Sequence, residues 1–162
     1  MCKIAVVILN YLNYEDTIEC MNSLLNISEV WNYIEGVVIV DNCSTNESYN
    51  ILSDMYMNMP KVKIVKTTQN FGFAKGNNFG ISIAREKYNT DFILCVNNDT
   101  LFYDSQIFKM LMDRYWQSPS RNAILGSAIR LSDGSVQSMC TSALGIIGTI
   151  LYSVTIGLYS FT

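Results

Sequence analysis

Two aspartates, Asp41 and Asp99, stand where apolar runs of the sequence end, and they are the strongest candidates for chemistry. Asp41 closes GVVIVD (36–41), and Asp99 follows two asparagines in DFILCVNNDT (91–100). A single carboxylate beside amide side chains suits Mg²⁺ or Mn²⁺, because these ions take one or two protein carboxylates and complete their shell with water and phosphate oxygens. The competing interpretation is that these residues only form turns or cap helices.

Composition excludes several other kinds of site. The 162-residue chain has no histidine, which removes Ser-His-Asp and Cys-His catalysis and most zinc chemistry. Its five cysteines include no CxxC pair, which favours free thiols in a reducing compartment. The net charge of −3, from 11 basic and 14 acidic residues, argues against nucleic acid as a partner. Carboxylates, hydroxyls and lysines are left to carry the chemistry.

Apolar runs and helical periodicities alternate along the chain. The runs predict strands at 3–9, 36–41, 61–67 and 91–98, with 61–67 at an edge because lysines alternate with aliphatic residues. Helices are predicted at 14–25, from a capping box at 44–47 to Pro60, at the end of a glycine-spaced loop within 70–88, and at 105–116. Residues 123–137 predict a strand, a turn at Asp133-Gly134 and a return strand.

This alternation predicts an α/β fold with a mainly parallel sheet and helices on both faces. Ligands of such sheets bind beyond the carboxyl ends of the strands. The rule brings Asn10-Tyr11, Asp41-Asn42 and Asn97-Asn98-Asp99 to one rim, although they lie far apart in sequence. Three strands that end in this way favour a binding site over three unrelated turns.

Glycines recur every four residues in NFGFAKGNNFG (70–80), at Gly72, Gly76 and Gly80. The loop matches neither of the standard glycine-rich phosphate signatures, GxGxxG and the Walker loop. Its glycines permit close backbone approach, either to a nucleotide or to a packed sheet. Lys75 could neutralise phosphate charge, although an isolated lysine is more often simply solvated.

Taken together and in order, VVILNYLN, VVIVDNCSTN, NFGFAKGNNFGI and FILCVNNDT resemble the inverting family 2 glycosyltransferases of the GT-A fold, especially the rhamnosyltransferase-like branch. SAIRLSDGSVQ (127–137) is similar to the segment that follows the metal site in that branch. The resemblance covers about residues 3–140. It predicts a nucleotide-sugar-binding domain portion at 1–140 and leaves 141–162 as an apolar segment of uncertain role.

The resemblance implies roles for individual residues. Asn10 and Tyr11 would line the nucleotide pocket, and Asp41 would accept a hydrogen bond from the base, commonly uracil or thymine. Asp99 would hold Mn²⁺ or Mg²⁺. The remaining implied nucleotide-binding residues are Lys75, Gly76, Asn78 and Asn98.

The implied reaction is transfer of a sugar from a UDP- or dTDP-linked donor to a hydroxyl of a glycan or lipid-linked acceptor, with inversion, in polysaccharide or glycan biosynthesis. Two departures from the family pattern bear on it. Asn97 replaces the first aspartate of the DxD-type motif, so the ion is expected to bind well only with its nucleotide. No acid follows Asp133, and neither Asp104, Asp113 nor Asp133 is assigned as general base. We therefore expect a chain truncated at its C-terminus, with no general base.

Two other functions compete. A nucleotidylyltransferase needs a basic glycine loop after the first strand, and NYLNYED (10–16) has neither glycine nor lysine. A non-catalytic nucleotide-binding module would explain the missing carboxylate. The absence of a signal sequence predicts a cytoplasmic protein. The apolar stretch 143–159 is compatible with contact at the inner face of the membrane, and self-association is left open.

Overall fold

Strands and helices alternate in the computed structural model, which describes residues 3–104, 106–117, 129–131 and 133–137. The elements are β1 (Ile4–Asn10), α1 (Tyr14–Leu25), α2 (Val30–Tyr33), β2 (Ile34–Asp41), α3 (Ser48–Tyr56), β3 (Val62–Lys66), α4 (Gly72–Lys87), β4 (Phe92–Asn97), α5 (Ile107–Gln117), β5 (Ile129–Arg130) and β6 (Val136–Gln137). The predicted strands and helices are present within a few residues of their predicted positions, except that α4 already begins at Gly72, so most of the predicted glycine-spaced loop is helical. Residues 123–128 of the predicted later strand lie outside the described residues. Only α2, a helix of four residues, was not predicted, because so short a segment carries no periodicity.

The first four strands form one parallel sheet in the order β3-β2-β1-β4. The predicted α/β fold with a mainly parallel sheet is therefore confirmed, and β3 lies at an edge as its lysines indicated. The register pairs Asn10 with Asp41, Asp41 with Lys66, and Leu9 with Asn97. The polar residues that end these strands consequently meet at one edge of the sheet.

Both faces of the sheet are covered. Every residue of β1 is buried, and its side chains alternate between two hydrophobic clusters because strand side chains point to opposite faces in turn. Ile4, Val6 and Ile8 pack in the cluster that includes residues of α1 and α3, whereas Ala5, Val7 and Leu9 pack in the cluster that includes Ala84 of α4. This burial on both faces explains why the sequences of the strands are continuous apolar runs.

Glycines bring α4 close to the sheet. A Cβ added at Gly80 would lie 2.4 Å from Val7 Cγ1 and 2.8 Å from Val40 Cγ2, and one at Gly76 would lie 2.7 Å from Leu9 Cδ1. Of the two uses open to this glycine spacing, close helix packing is the one that Gly76 and Gly80 serve. Gly72 begins the helix with φ of +73°, in the left-handed region that favours glycine.

The capping box predicted at residues 44–47 does not form. α3 begins at Ser48, and its N-cap residue, Glu47, makes no capping bond with its side chain. Ser44 Oγ instead accepts a hydrogen bond from Leu12 N at 2.9 Å. The hydroxyl that would cap the helix is therefore engaged by the loop after β1.

The chain divides into two compact units, residues 1–112 and 113–162. In the second unit β5 and β6 pair antiparallel around the predicted turn, where Gly134 has φ of +83°. The predicted apolar segment 141–162 and the domain boundary before it lie outside the described residues. No helix in the described part of the chain is long and apolar enough to span a membrane.

Candidate functional site

A cleft of about 360 Å³ opens in the first unit, beyond the carboxyl ends of β1, β2 and β4. It is lined by residues from these strand ends and from the start of α4, namely Leu9, Tyr11, Asn42, Asn70, Gly72, Phe73, Asn97, Asn98 and Asp99. Three predicted site residues, Tyr11, Asn98 and Asp99, are among them. The cleft is the site on which the rim of polar residues converges.

Asn98 and Asp99 occupy the two central positions of a tight turn that follows β4. The turn is closed by a hydrogen bond from Thr100 N to Asn97 O at 3.1 Å. The side chain of Asp99 is exposed, and within the described residues its carboxylate makes no hydrogen bond or ion pair. The next helix starts only at Ile107, so Asp99 does not serve as its N-cap. Its carboxylate is available to a ligand.

The residues of this turn suit a hard divalent cation bound together with phosphate. No group of three Asp, Glu, Cys or His side chains that could hold a metal occurs in the described parts of the chain. Asp99 instead offers one carboxylate, and Asn97 and Asn98, which precede it in sequence, line the same cleft. Such a partial set fits Mg²⁺ or Mn²⁺, whose remaining ligands are usually water and substrate phosphate.

Asn98 is anchored away from the cleft as well as lining it. Its Nδ2 donates to Asn13 O at 3.1 Å and to Thr17 Oγ1 at 3.3 Å, at the start of α1. The anchor therefore holds the residue next to Asp99 against the first helix.

Asn10 and Asp41 lie beneath the cleft and do not line it. Both are completely buried, and Asn10 Nδ2 donates to Asp41 Oδ1 at 2.9 Å. Ser44 N donates to Asp41 Oδ2 at 3.0 Å, and Lys66 Nζ lies 3.9 Å from the same oxygen. The buried carboxylate thus has hydrogen-bond donors and a compensating cation from its own chain, as a buried charge requires.

Asn42 connects the end of β2 to the loop before α4. Its Oδ1 accepts from Phe71 N at 2.9 Å, and its Nδ2 donates to Asn70 Oδ1 at 2.9 Å. Asn70 Oδ1 also accepts from Gly72 N at 2.8 Å. These hydrogen bonds fix the side of the cleft that is formed by the loop leading into α4. Asn42 was predicted at the rim, whereas Asn70 was not, because only its position two residues before Gly72 could have indicated it.

Two exposed aromatic rings complete the lining. Tyr11 is 45% exposed and Phe73 is 65% exposed, although both could bury a large apolar area. Phenylalanine is most often a core residue, and nothing in the sequence separates a phenylalanine that lines a cleft from a buried one. Exposed rings beside amide and carboxylate groups suit a flat ring attached to charged phosphates.

The protein-family model described as Glycosyl transferase family 2 matches residues 5–139 of the chain. The chain belongs to this family. Among curated proteins, no significant match is found.

Solved structures support the same fold. The S. aureus TarS 1-349 structure matches with a TM-score of 0.56 and 24% identity over 72% of this chain. The complexes of TarS 1-349 with UDP-GlcNAc and with UDP match at 25% and 23% identity, with TM-scores of 0.56 and 0.57. The chain covers 33% of TarS 1-349 in the first of these structures. The comparison confirms the expected GT-A-type architecture over the part that is shared.

Three residues that the family resemblance implied, Lys75, Gly76 and Asn78, lie on α4 of this family 2 chain. Lys75 and Asn78 are exposed, and Gly76 is buried against Leu9. None of the three lines the cleft described above. Lys75 lies in the first turn of α4, two residues after the cleft residue Phe73. Of the basic residues on α4, it is the nearest in sequence to the cleft lining.

A buried thiol lies behind the turn at residues 97–100 of this family 2 chain. Cys20 Sγ donates to Asn97 O at 3.9 Å. Burial, and to a lesser degree the charge of Asp99, raises the pKa of the Cys20 thiol to about 12. The thiol is therefore neutral near pH 7 and packs as a small apolar group.

Proposed function

We propose that this family 2 chain binds the donor of an inverting glycosyltransferase of the rhamnosyltransferase-like branch. The donor is a UDP- or dTDP-linked sugar, and the acceptor is a hydroxyl of a glycan or lipid-linked molecule. The observation that carries the proposal is the exposed carboxylate of Asp99 in a turn at the cleft, with the Tyr11 ring in the same lining. Crystal structures of S. aureus TarS with UDP-GlcNAc and with UDP support the choice of ligand class.

Each part of the cleft has a task in this proposal. The Tyr11 ring stacks on the base, and the exposed Phe73 ring shields the opposite part of the lining from water. Asp99, with the amides of Asn97 and Asn98, would hold Mn²⁺ or Mg²⁺. Bound there, the ion would supply positive charge to offset that of the leaving nucleoside diphosphate. Asn10 and Asp41 support the floor of the site beneath the base.

The described residues leave one step without a group to carry it. Asp99 is the only acid among the residues that line the described cleft. Deprotonation of the acceptor hydroxyl requires a second group within hydrogen-bond reach. On this basis a second candidate function is a nucleotide-binding module that does not transfer sugar by itself.

Calorimetric titration tests the proposal. UDP and dTDP are titrated into the wild-type chain and into Asp99→Asn, each with and without Mn²⁺. We expect Mn²⁺ to increase wild-type affinity at least about tenfold and Asp99→Asn to lose that gain. Asp54→Asn is the matched control, because it removes the same charge from an exposed position on α3 outside the cleft.

Two results separate the candidates. A well-folded wild-type chain that binds neither nucleotide contradicts both. Donor hydrolysis or transfer to an acceptor, measured by release of UDP or dTDP, favours the transferase over the binding module.

A further inference from the structure

We infer that Thr17 is a positioning residue, which holds the metal-type turn at residues 97–100 in register with the buried Asn10–Asp41 pair. The inference rests on the proposed function, because it assigns a task to Thr17 in metal-dependent nucleotide binding. Thr17 lies on α1, is completely buried and does not line the cleft. It therefore acts through its neighbours and does not touch the ligand.

The Thr17 hydroxyl is the junction of a chain of hydrogen bonds across three strand ends. Asn98 Nδ2, just beyond β4, donates to Thr17 Oγ1 at 3.3 Å. Thr17 Oγ1 donates to Asn10 Oδ1, at the end of β1, over 3.0 Å. Asn10 Nδ2 then donates to Asp41 Oδ1, at the end of β2, over 2.9 Å. The chain runs in one direction, from the turn to a buried carboxylate.

Proton counting supports this direction. The hydroxyl has one proton, and Thr17 Oγ1 also lies 3.1 Å from Asn13 O. Asn13 O already receives a hydrogen bond from Asn98 Nδ2 at 3.1 Å. Asn10 Oδ1 is buried, and Thr17 is its only hydrogen-bond donor within the described residues. The Thr17 hydroxyl therefore donates its proton to Asn10 Oδ1 and not to Asn13 O, because leaving a buried acceptor unpaired costs more free energy.

The same contacts explain why the turn needs the anchor. Asp99 itself makes no hydrogen bond within the described residues, and the Cys20 thiol bond to Asn97 O is long, at 3.9 Å. The amide of Asn98 is thus the main polar connection between the turn and α1. Thr17 Oγ1 holds the Asn98 amide by accepting its hydrogen bond. Asn98 in turn fixes the direction of the next residue, Asp99.

Two substitutions separate the hydroxyl from the shape of the side chain. Thr17→Val keeps the branched shape and removes the hydroxyl, whereas Thr17→Ser keeps the hydroxyl. The measured quantity is the ratio of UDP dissociation constants without and with Mn²⁺, obtained by calorimetry. We expect Thr17→Val to reduce this ratio about tenfold, the range seen when outer partners of metal ligands are removed. Thr17→Ser keeps the wild-type ratio, and UDP affinity without metal stays within about twofold in both variants.

Leu25→Ala controls for general destabilisation. Leu25 lies on the same helix and packs partly buried against the core, away from the hydrogen-bond chain. The Leu25→Ala substitution is expected to lower the melting temperature and leave the ratio of UDP dissociation constants without and with Mn²⁺ unchanged. If Thr17→Val does not fold, Thr17→Ala takes its place with the same expectation.

The outcomes are distinguishable. A folded Thr17→Val chain with the wild-type metal ratio overturns the role of Thr17 and leaves the proposed function intact. A wild-type chain whose UDP affinity does not respond to Mn²⁺ overturns the metal-dependent site and this inference with it. A ratio that falls equally in Leu25→Ala also overturns the inference, because the loss would then follow stability alone.

Discussion

The side-chain amide of Asn10 donates a hydrogen bond to the carboxylate of Asp41 over 2.9 Å, and both residues are completely buried. The pair joins the ends of two neighbouring strands, since Asn10 and Asp41 are partners in the register of β1 and β2. The pair does not line the cleft, and its hydrogen bonds are internal to the chain. Its first measurable effect is therefore expected on folding stability.

Asp41→Ala is expected to lower the free energy of unfolding by about 3 kcal/mol, because Asn10 Nδ2 and Ser44 N would lose a buried acceptor. Asp41→Asn keeps one oxygen for Asn10 and should lose about half as much. Urea unfolding at pH 7 measures both variants. Equal losses in the two variants would show that the hydrogen bond to Asn10 contributes little.

Lys75→Ala is expected to weaken binding of UDP with Mn²⁺ by about two- to fivefold, because an exposed lysine contributes modest screened attraction to phosphate. Lys87→Ala is the matched control, since Lys87 is exposed at the other end of the same helix. Calorimetry at two salt concentrations gives the comparison. Indistinguishable affinities of the two variants at low salt would remove Lys75 from the nucleotide site.

Gly80→Ala is expected to destabilise the fold by about 1–3 kcal/mol, because the added methyl group has no room beside Val7 and Val40. The improved helix propensity of alanine offsets about 1 kcal/mol of the strain. Ser82→Ala, at an exposed position of α4, is the control and should stay within about 0.5 kcal/mol of the wild type. Thermal unfolding distinguishes the two, and a neutral Gly80→Ala would mean that α4 can move away from the sheet.

The Cys20 thiol is expected to make stability fall in alkaline solution. Burial raises its pKa from the ordinary 9.0 to about 12, so the folded chain keeps the proton after the unfolded chain has lost it. The stabilisation is complete below pH 9 and is lost as the pH rises from 9 towards 12. At pH 10.5 the loss reaches about 2 kcal/mol.

Cys20→Ala measures this contribution by difference, because Tyr56 and Tyr88 also have pKa values raised by burial to about 12. The stability advantage of the wild type over Cys20→Ala should shrink between pH 8 and pH 10.5. Val30→Ala removes a buried apolar side chain without a titrating group, and its difference from the wild type should stay constant. A constant difference for Cys20→Ala as well would refute the raised pKa.

The strand ends were predictable because two independent signals agree there. An apolar run of strand length stops at Asn10, at Asp41 and at Asn97, and parallel topology brings the stops to one edge. The turn at Asp133-Gly134 was readable for a similar reason, since Gly134 adopts a φ that few other residues tolerate. At these positions the residue type favoured by the local backbone is also the one that the fold requires.

The remaining features depend on contacts that the local sequence does not contain. Ser44 has the spacing of a capping box, but its hydroxyl binds Leu12 N, 32 residues earlier in the chain. Thr17 looks like an ordinary helical residue until β4 brings Asn98 within reach of it. Phe73 has the apolar side chain of a typical core residue, but it lies exposed in the cleft lining. Such assignments require the tertiary structure.

The glycine contacts of α4 distinguish the two sides of the cleft. Gly76 and Gly80 bring the backbone of α4 directly against Leu9 and Val7, so the helix and the strands move as a single body. The side that carries Gly72 and Phe73 is therefore a fixed frame. The opposite side is a four-residue turn tied to α1 through the amide of Asn98. The two sides of the cleft are therefore held by different forces, the α4 side by close backbone packing and the Asp99 side by the side-chain amide of Asn98.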